Sequence, residues 1–233
     1  LDNKDPRCFL KQRGFSLSVM PKIKLVIFDL DGTLADAYEA ISASVNFTLQ
    51  KLGHKKAAYL KIRKAVGWGD RRLLAAFLPE KDIDRALLIY RRHHRVSLKK
   101  YSRILPYSKG VLDYLRGNKI KAAIASNRPT EFTNILLNSL GIKGCFDYVL
   151  CADKLVEGKP NPEILLKIMR ELKIDPRETL YVGDMVIDVE TGRNAGVRVA
   201  AVLGGSSTLA EIKKARPFKI IKSLASLRKH LKS

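Results

Sequence analysis

The sequence predicts an α/β fold, a doubly wound and mostly parallel sheet with an inserted helical cap, and three observations point there. Short apolar runs rich in β-branched residues recur along the chain, the pattern of strands covered on both faces. Helix-period segments of roughly ten residues separate these runs, as crossovers between parallel strands require. Residues 36–104 hold only helical patterns and so interrupt the alternation as an insertion.

Taken in order, the first strand covers residues 23–28 and stops at Asp29. The insertion follows, with helical periods over 37–52, 55–66, 70–77 and 81–101. A second sheet strand, 121–125, stops at Ser126-Asn127, and helix 131–140 closes at Gly141. A weaker strand at 146–151 leads to helix 163–172, for which Asn161 is the N-cap and Pro162 the first helical residue. Strand 179–182, helix 187–195 closed by Gly196, and strand 197–202 continue the alternation. After Pro217 come a last strand, 218–221, and an amphipathic helix, 224–231. The domain division is therefore a core from 20–35 and 105–233, with a helical cap at 36–104. Residues 1–19 lack helix or strand periodicity, and Met20 is the first methionine. They read as an N-terminal extension upstream of a start at Met20.

The chain of 233 residues is 46% hydrophobic, enough for a substantial core and too apolar for disorder. Its formal net charge is +21, and residues 51–121 hold 20 Lys or Arg against 5 Asp or Glu, an excess of +15. No aromatic-interleaved basic motif accompanies that charge, so solvated helix faces are expected rather than nucleic acid as partner. Cys8, Cys145 and Cys151 are an odd count without CxxC or histidine spacing, which excludes a disulfide framework and fits a cytoplasmic protein. No apolar run is long enough for a membrane span, and the first residues have no signal-peptide core.

The chemistry-bearing residues fall at strand ends, where ligands of open α/β sheets sit. Asp29 and Asp31 follow the first strand at two-residue spacing, which puts both carboxyl groups on one side. Gly32 permits a turn, and Thr33 offers a hydroxyl and an amide to an anion. Ser126-Asn127 offers a hydroxyl and exposed amides after the second sheet strand. Lys159, kept extended by Pro160, comes just before a helix start. Asp184 ends the 179–182 strand, and Asp188 follows at i+4. Four acidic groups this close repel one another and any phosphate, so the arrangement needs a cation, and all-oxygen ligands suit Mg²⁺.

The series DLDGT (29–33), SN (126–127), GKPNPE (158–163) and VGDMVID (182–188) resembles, in order and spacing, the four motifs of the haloacid dehalogenase-like superfamily. The resemblance covers residues 22–233, implies a Rossmann-like core, and the helical insertion is similar to that superfamily's first type of cap. It implies Asp29 as nucleophile and Asp31 as general acid and base. It further implies Mg²⁺ on Asp29, the Asp31 carbonyl and Asp184, with Asp188 supporting the metal shell. Thr33, Ser126, Asn127 and Lys159 would then hold the phosphoryl group. Asp31 is expected to share a proton through its acidic neighbour, and its presence argues for a phosphate ester or anhydride. The stretch after the first motif, Asp36 and Gly67-Trp68-Gly69 are similar to phosphoglycolate phosphatases, although Arg128 stands where a lysine is common and Met185 replaces a smaller residue. That similarity implies a small phosphate ester, 2-phosphoglycolate, as substrate; the sequence leaves monomer and homodimer both open. The cap loop near Gly69, with Arg71 and Arg72, would contact the leaving group. Pyrophosphatase, nucleotidase, phosphosugar phosphatase or mutase are the alternatives of the same superfamily. A catalytically silent binding protein with a basic cap is the alternative from another class.

Overall fold

The computed structural model describes residues 21–231, so the expected extension at 1–19, with Cys8, lies outside the described residues. Six parallel strands form one sheet: β1 (Leu25–Phe28), β4 (Lys121–Ser126), β5 (Tyr148–Cys151), β6 (Thr179–Gly183), β7 (Arg198–Val202) and β8 (Lys219–Ile221). Their order is β5-β4-β1-β6-β7-β8. The chain thus runs outward from β1 on one side, then returns past it to build the other side. The crossovers place the two sets of helices on opposite faces, the arrangement that right-handed connections between parallel strands produce. On one face, α5 (Ser108–Gly117) and α6 (Thr130–Ser139) cover Val26, Phe28 and Ile124. On the other, α7 (Glu163–Leu172), α8 (Val186–Asn194) and α9 (Leu209–Ala215) cover Leu25, Ile27, Tyr181 and Val199. Alternate residues of each buried strand serve opposite layers, which is why those runs are apolar throughout.

Between β1 and β4 the chain leaves the sheet through β2 (Ala35–Asp36) and returns through β3 (Arg103–Ile104), an antiparallel pair closed by an Asp36–Arg103 ion pair at 2.8 Å. The excursion is helical: α1 (Tyr38–Lys51), α2 (Tyr59–Ala65), α3 (Asp70–Ala75) and α4 (Glu80–Tyr101). Helix α1 packs chiefly along α4, burying Ile41, Val45 and Leu49 against Ile83, Ala86 and Tyr90. The two-residue strands at the neck are too short to show an alternating pattern, so the sequence reading missed them.

Three other departures have local causes. The last segment is a 3₁₀ helix, Leu224–His230, not the expected α-helix. Leu224 and Leu227, both buried, share a face at three-residue spacing, and a seven-residue segment gains little from α-helical nucleation. Helix α5 went unread although Val111, Leu112 and Leu115 form its buried stripe. Helix α9 went unread although Thr208 and Glu211 form a reciprocal capping box. No helix among the described residues is long and apolar enough to cross a membrane. Cys145 and Cys151 are unpaired thiols.

Candidate active site

The point where the sheet order reverses, at β1 between β4 and β6, opens a crevice at the carboxyl ends of those strands. Asp29 leaves β1 there, its N–H still bonded to Val182 O of β6 at 2.8 Å. The backbone then folds sharply: Gly32 takes φ +87°, and a Cβ on it would lie 2.3 Å from Tyr38 Oη and 2.6 Å from Asp184 Oδ2. Only glycine fits that approach.

Asp29, Asp184 and Asp188 converge, with carboxylate oxygens within 4.8 Å of one another, all three buried. Burial pushes Asp29 up to about 7; Lys159 opposes this and Asp188 adds to it. Burial also holds Asp184 well above the usual carboxylate range, with Asp29 and Asp188 contributing. Lys159 answers part of that charge: its Nζ donates to Asp29 Oδ1 at 2.6 Å, to Asp188 Oδ1 at 2.7 Å and to Tyr181 Oη at 3.1 Å. One ammonium against three buried carboxylates leaves net negative charge in a low-dielectric setting, so this hard oxygen set fits a divalent cation. Asp188 is the most committed of the three: Oδ1 accepts from Lys159 and Tyr181, and Oδ2 accepts the Met185 N–H at 3.0 Å.

The remaining residues named from the sequence separate into those the fold brings to this point and those it does not. Thr33, expected to hold phosphate, instead donates its hydroxyl to Asp184 Oδ1 at 3.0 Å, so its side chain orients a carboxylate. Asn127 spends its side chain on the chain itself, donating to Gly67 O and Lys159 O and accepting the Lys159 N–H at 2.8 Å. It thereby ties the core to the loop before α3. Ser126 is buried beside the cluster and accepts the Arg128 N–H at 3.1 Å. Lys159 reaches the acids from just before α7; the Lys159–Pro160 bond is cis. Asn161 Oδ1 accepts the Glu163 N–H at 2.9 Å, and Pro162 already has helical backbone angles.

Asp31 does not share its carboxyl with an acidic neighbour. Arg128 grips it, Nη2 reaching Oδ1 at 2.6 Å and Oδ2 at 2.7 Å while Nε reaches Oδ2 at 2.9 Å. A buried guanidinium this close is the better partner for a carboxylate than a second carboxylate. Gly69 lines the cavity between core and insertion, while Arg71 and Arg72 line the adjoining outer groove, which shares Gly69, Asp70, Asn127, Pro129 and Lys159 with that cavity. Arg71 is half exposed and paired with Glu80 and Asp84, and Arg72 lies over the Trp68 ring.

Several participants were missed. Tyr38 Oη meets Asp184 Oδ2 at 3.4 Å and Ser206 Oγ at 2.9 Å, and Ser206 N–H donates to Asp184 Oδ2 at 2.7 Å. A Cβ on Gly205 would lie 1.8 Å from that same oxygen, so the loop after β7 wraps the acid closely. The run Gly204-Gly205-Ser206-Ser207 at a strand end was the available signal.

This acidic cleft at the switch point of a parallel sheet defines a hydrolase class: the model of the haloacid dehalogenase-like hydrolase family matches residues 26–202, and the chain belongs to that family. Among its relatives, the phosphoglycolate phosphatase of Aquifex aeolicus is 30% identical over 204 residues, covering 86% of this chain and 96% of that one. Phosphoglycolate phosphatase 1 of Pseudomonas aeruginosa is 30% identical over 213 residues, covering 88% of this chain and 78% of its own. A crystal structure described as a predicted phosphoglycolate phosphatase from Haemophilus somnus superposes with a TM-score of 0.86 at 25% identity, covering 91% of this chain and 99% of that one.

Proposed function

We propose that the protein is a Mg²⁺-dependent phosphatase of small phosphate monoesters, with phosphoglycolate the leading substrate, acting through an aspartyl-phosphate on Asp29. The observation that carries the reading is the Asp29 carboxylate at the end of β1, 2.6 Å from Lys159 and in one cluster with Asp184 and Asp188. A carboxylate is a weak nucleophile, and it attacks phosphorus only where cations offset the charge of both partners. Asp29, Asp184 and the Asp31 carbonyl would hold Mg²⁺, which when bound would neutralise phosphoryl oxygen charge. Asp188 is a supporting residue here, holding Lys159 and the start of α8.

In the first half-reaction an Asp29 oxygen forms the bond to phosphorus, the ester P–O bond breaks, and Asp31, having taken up a proton from solvent as it leaves Arg128, delivers it to the departing alkoxide. In the second, Asp31 takes a proton from a water that attacks phosphorus, releasing orthophosphate and restoring Asp29. Lys159 and the Ser126 hydroxyl, with the amides after β4, would hold the phosphoryl oxygens. The helical insertion acts as a cap that covers the site and excludes bulk water.

Substrate size follows from the covered space. The cavity under the insertion is about 50 Å³. At ~10–15 Å³ per water-sized body, the covered part holds a few such bodies, which favours a small leaving group. The two phosphoglycolate phosphatases, each 30% identical over most of this chain, support the same choice.

The test is kcat/KM for phosphoglycolate, phosphosugars, nucleoside monophosphates and pyrophosphate, each with Mg²⁺ and with EDTA. Phosphoglycolate should lead, and chelation should abolish every rate. A phosphosugar or pyrophosphate ahead by more than about tenfold overturns the substrate, and full activity in EDTA overturns the mechanism.

A further inference from the structure

Arg128 follows the Ser126-Asn127 turn, and its guanidinium lies inside the cavity between core and insertion, 8% exposed. Nε and Nη2 are committed to Asp31, and Nη1 donates to His94 Nε2 of α4 at 2.8 Å. Arginine only donates, so this ring nitrogen accepts and His94 is neutral. The hydrogen then sits on Nδ1, which meets Ser44 Oγ at 3.0 Å, and Ser44 donates onward to Ala40 O at 2.8 Å. This chain of buried groups fixes the plane of the guanidinium. It leaves the second Nη1 hydrogen without an acceptor among the described residues.

The rest of the cavity makes that hydrogen informative. Ile41, Val66, Leu73, Tyr90 and Phe132 form a largely apolar wall. Lys159, the other cation lining the space, is held by Asp29 and Asp188 at the phosphoryl end. An anionic group on a leaving alcohol would be desolvated against that wall, which is unfavourable unless it meets a paired donor set. Arg128 is the cation placed to supply one, with the planar fork that matches a carboxylate.

Resting on the phosphatase reading, we propose that Arg128 is the specificity-determining residue of this site, binding a carboxylate on the leaving alcohol in exchange for Asp31. His94 is a positioning residue that keeps the fork aimed during the exchange. The swap frees the Asp31 side chain to turn toward the leaving oxygen. An ester without the carboxylate leaves Asp31 clamped, so discrimination enters kcat as well as KM.

The experiment compares phosphoglycolate, its neutral amide phosphoglycolamide, and ethyl phosphate with Mg²⁺, in wild type, Arg128→Gln and Arg128→Lys. Wild type should prefer phosphoglycolate over the amide by at least about a hundredfold in kcat/KM, with part of the difference in kcat. Arg128→Gln should reduce that preference to less than about tenfold, and Arg128→Lys should restore part of it through its charge. The wild-type comparison needs no substitution, so it decides even where a variant fails to fold. Similar kcat/KM for acid and amide in wild type overturns the role of Arg128 while leaving the phosphatase reading in place. An unchanged preference in soluble Arg128→Gln does the same. Hydrolysis of none of the three esters removes the reaction itself, and the inference with it.

Discussion

The strand ends of the core and the helical insertion both carry dense charge, but they use it in opposite ways. At the strand ends, Asp29, Asp184, Asp188, Lys159 and Arg128 are each buried and bonded to one another or to neighbouring side chains. In the insertion, which holds +10 of the +21 net charge, the cations pair at the surface: Arg71 with Glu80 and Asp84, Arg91 with Asp70, Arg95 with Glu131 of α6. Exposed pairs of that kind contribute about 0–1 kcal/mol each, whereas removing one partner of a buried set leaves an uncompensated charge. The lesson is that composition counts charge, while the fold decides which charges can act. Of the insertion's ionisable groups, neutral His94 lies deep in the cavity, and Asp70 lines it as well.

Breaking the core's set should give the largest effects. Asp184→Asn removes one of the three converging carboxylates and leaves Thr33, Tyr38 and Ser206 facing an amide. The Mg²⁺ concentration for half-maximal activity should rise by at least about a hundredfold. A Mg²⁺ titration that superposes on wild type would show that Asp184 holds no metal.

A smaller effect should separate the same cluster from the surface by pH. Asp29 titrates at about 7 in the folded metal-free protein against an ordinary 3.8. Between those values the folded state keeps a proton that the unfolded chain has released, so stability falls as pH rises through the interval. Mg²⁺ bound to the ionised carboxylates should offset that loss. Thermal unfolding in EDTA and in Mg²⁺ should therefore show a larger metal-induced gain in Tm at pH 8 than at pH 5. Equal gains would mean that metal does not act on these groups.

The smallest effect belongs to the insertion's surface. Arg71→Ala breaks two exposed ion pairs outside the cavity, so kcat/KM for phosphoglycolate should stay within about threefold of wild type. A loss above about tenfold would return Arg71 to the substrate contact that the sequence reading gave it.

That contrast also explains what could be read from the sequence. The sheet was legible because strands buried on both faces must be apolar at every position, and residues such as Leu25–Phe28 satisfy no helical period. The acidic positions were legible because they fall where those runs stop. The partners of the acids were harder: Thr33 and Asp184 are 151 residues apart, and Arg128 and Asp31 are 97 apart. Arg128 registered only as a departure from a common lysine, since nothing local announces that a guanidinium will be buried. His94 lies within a basic stretch of α4, and only the three-dimensional packing of α4 on α1 and α6 separates it from its solvated neighbours.

The claim on which the account rests is the covalent role of Asp29, and trapping it is the direct measurement. Wild type mixed with phosphoglycolate labelled at phosphorus and quenched in acid during turnover should carry label on the chain, released by mild base as an acyl phosphate is. Peptide mapping should place that label on the segment containing Asp29, and Asp29→Asn should carry none and lose more than about a thousandfold in kcat. Label on another residue, or an Asp29→Asn protein that still turns over within about tenfold of wild type, would contradict the account.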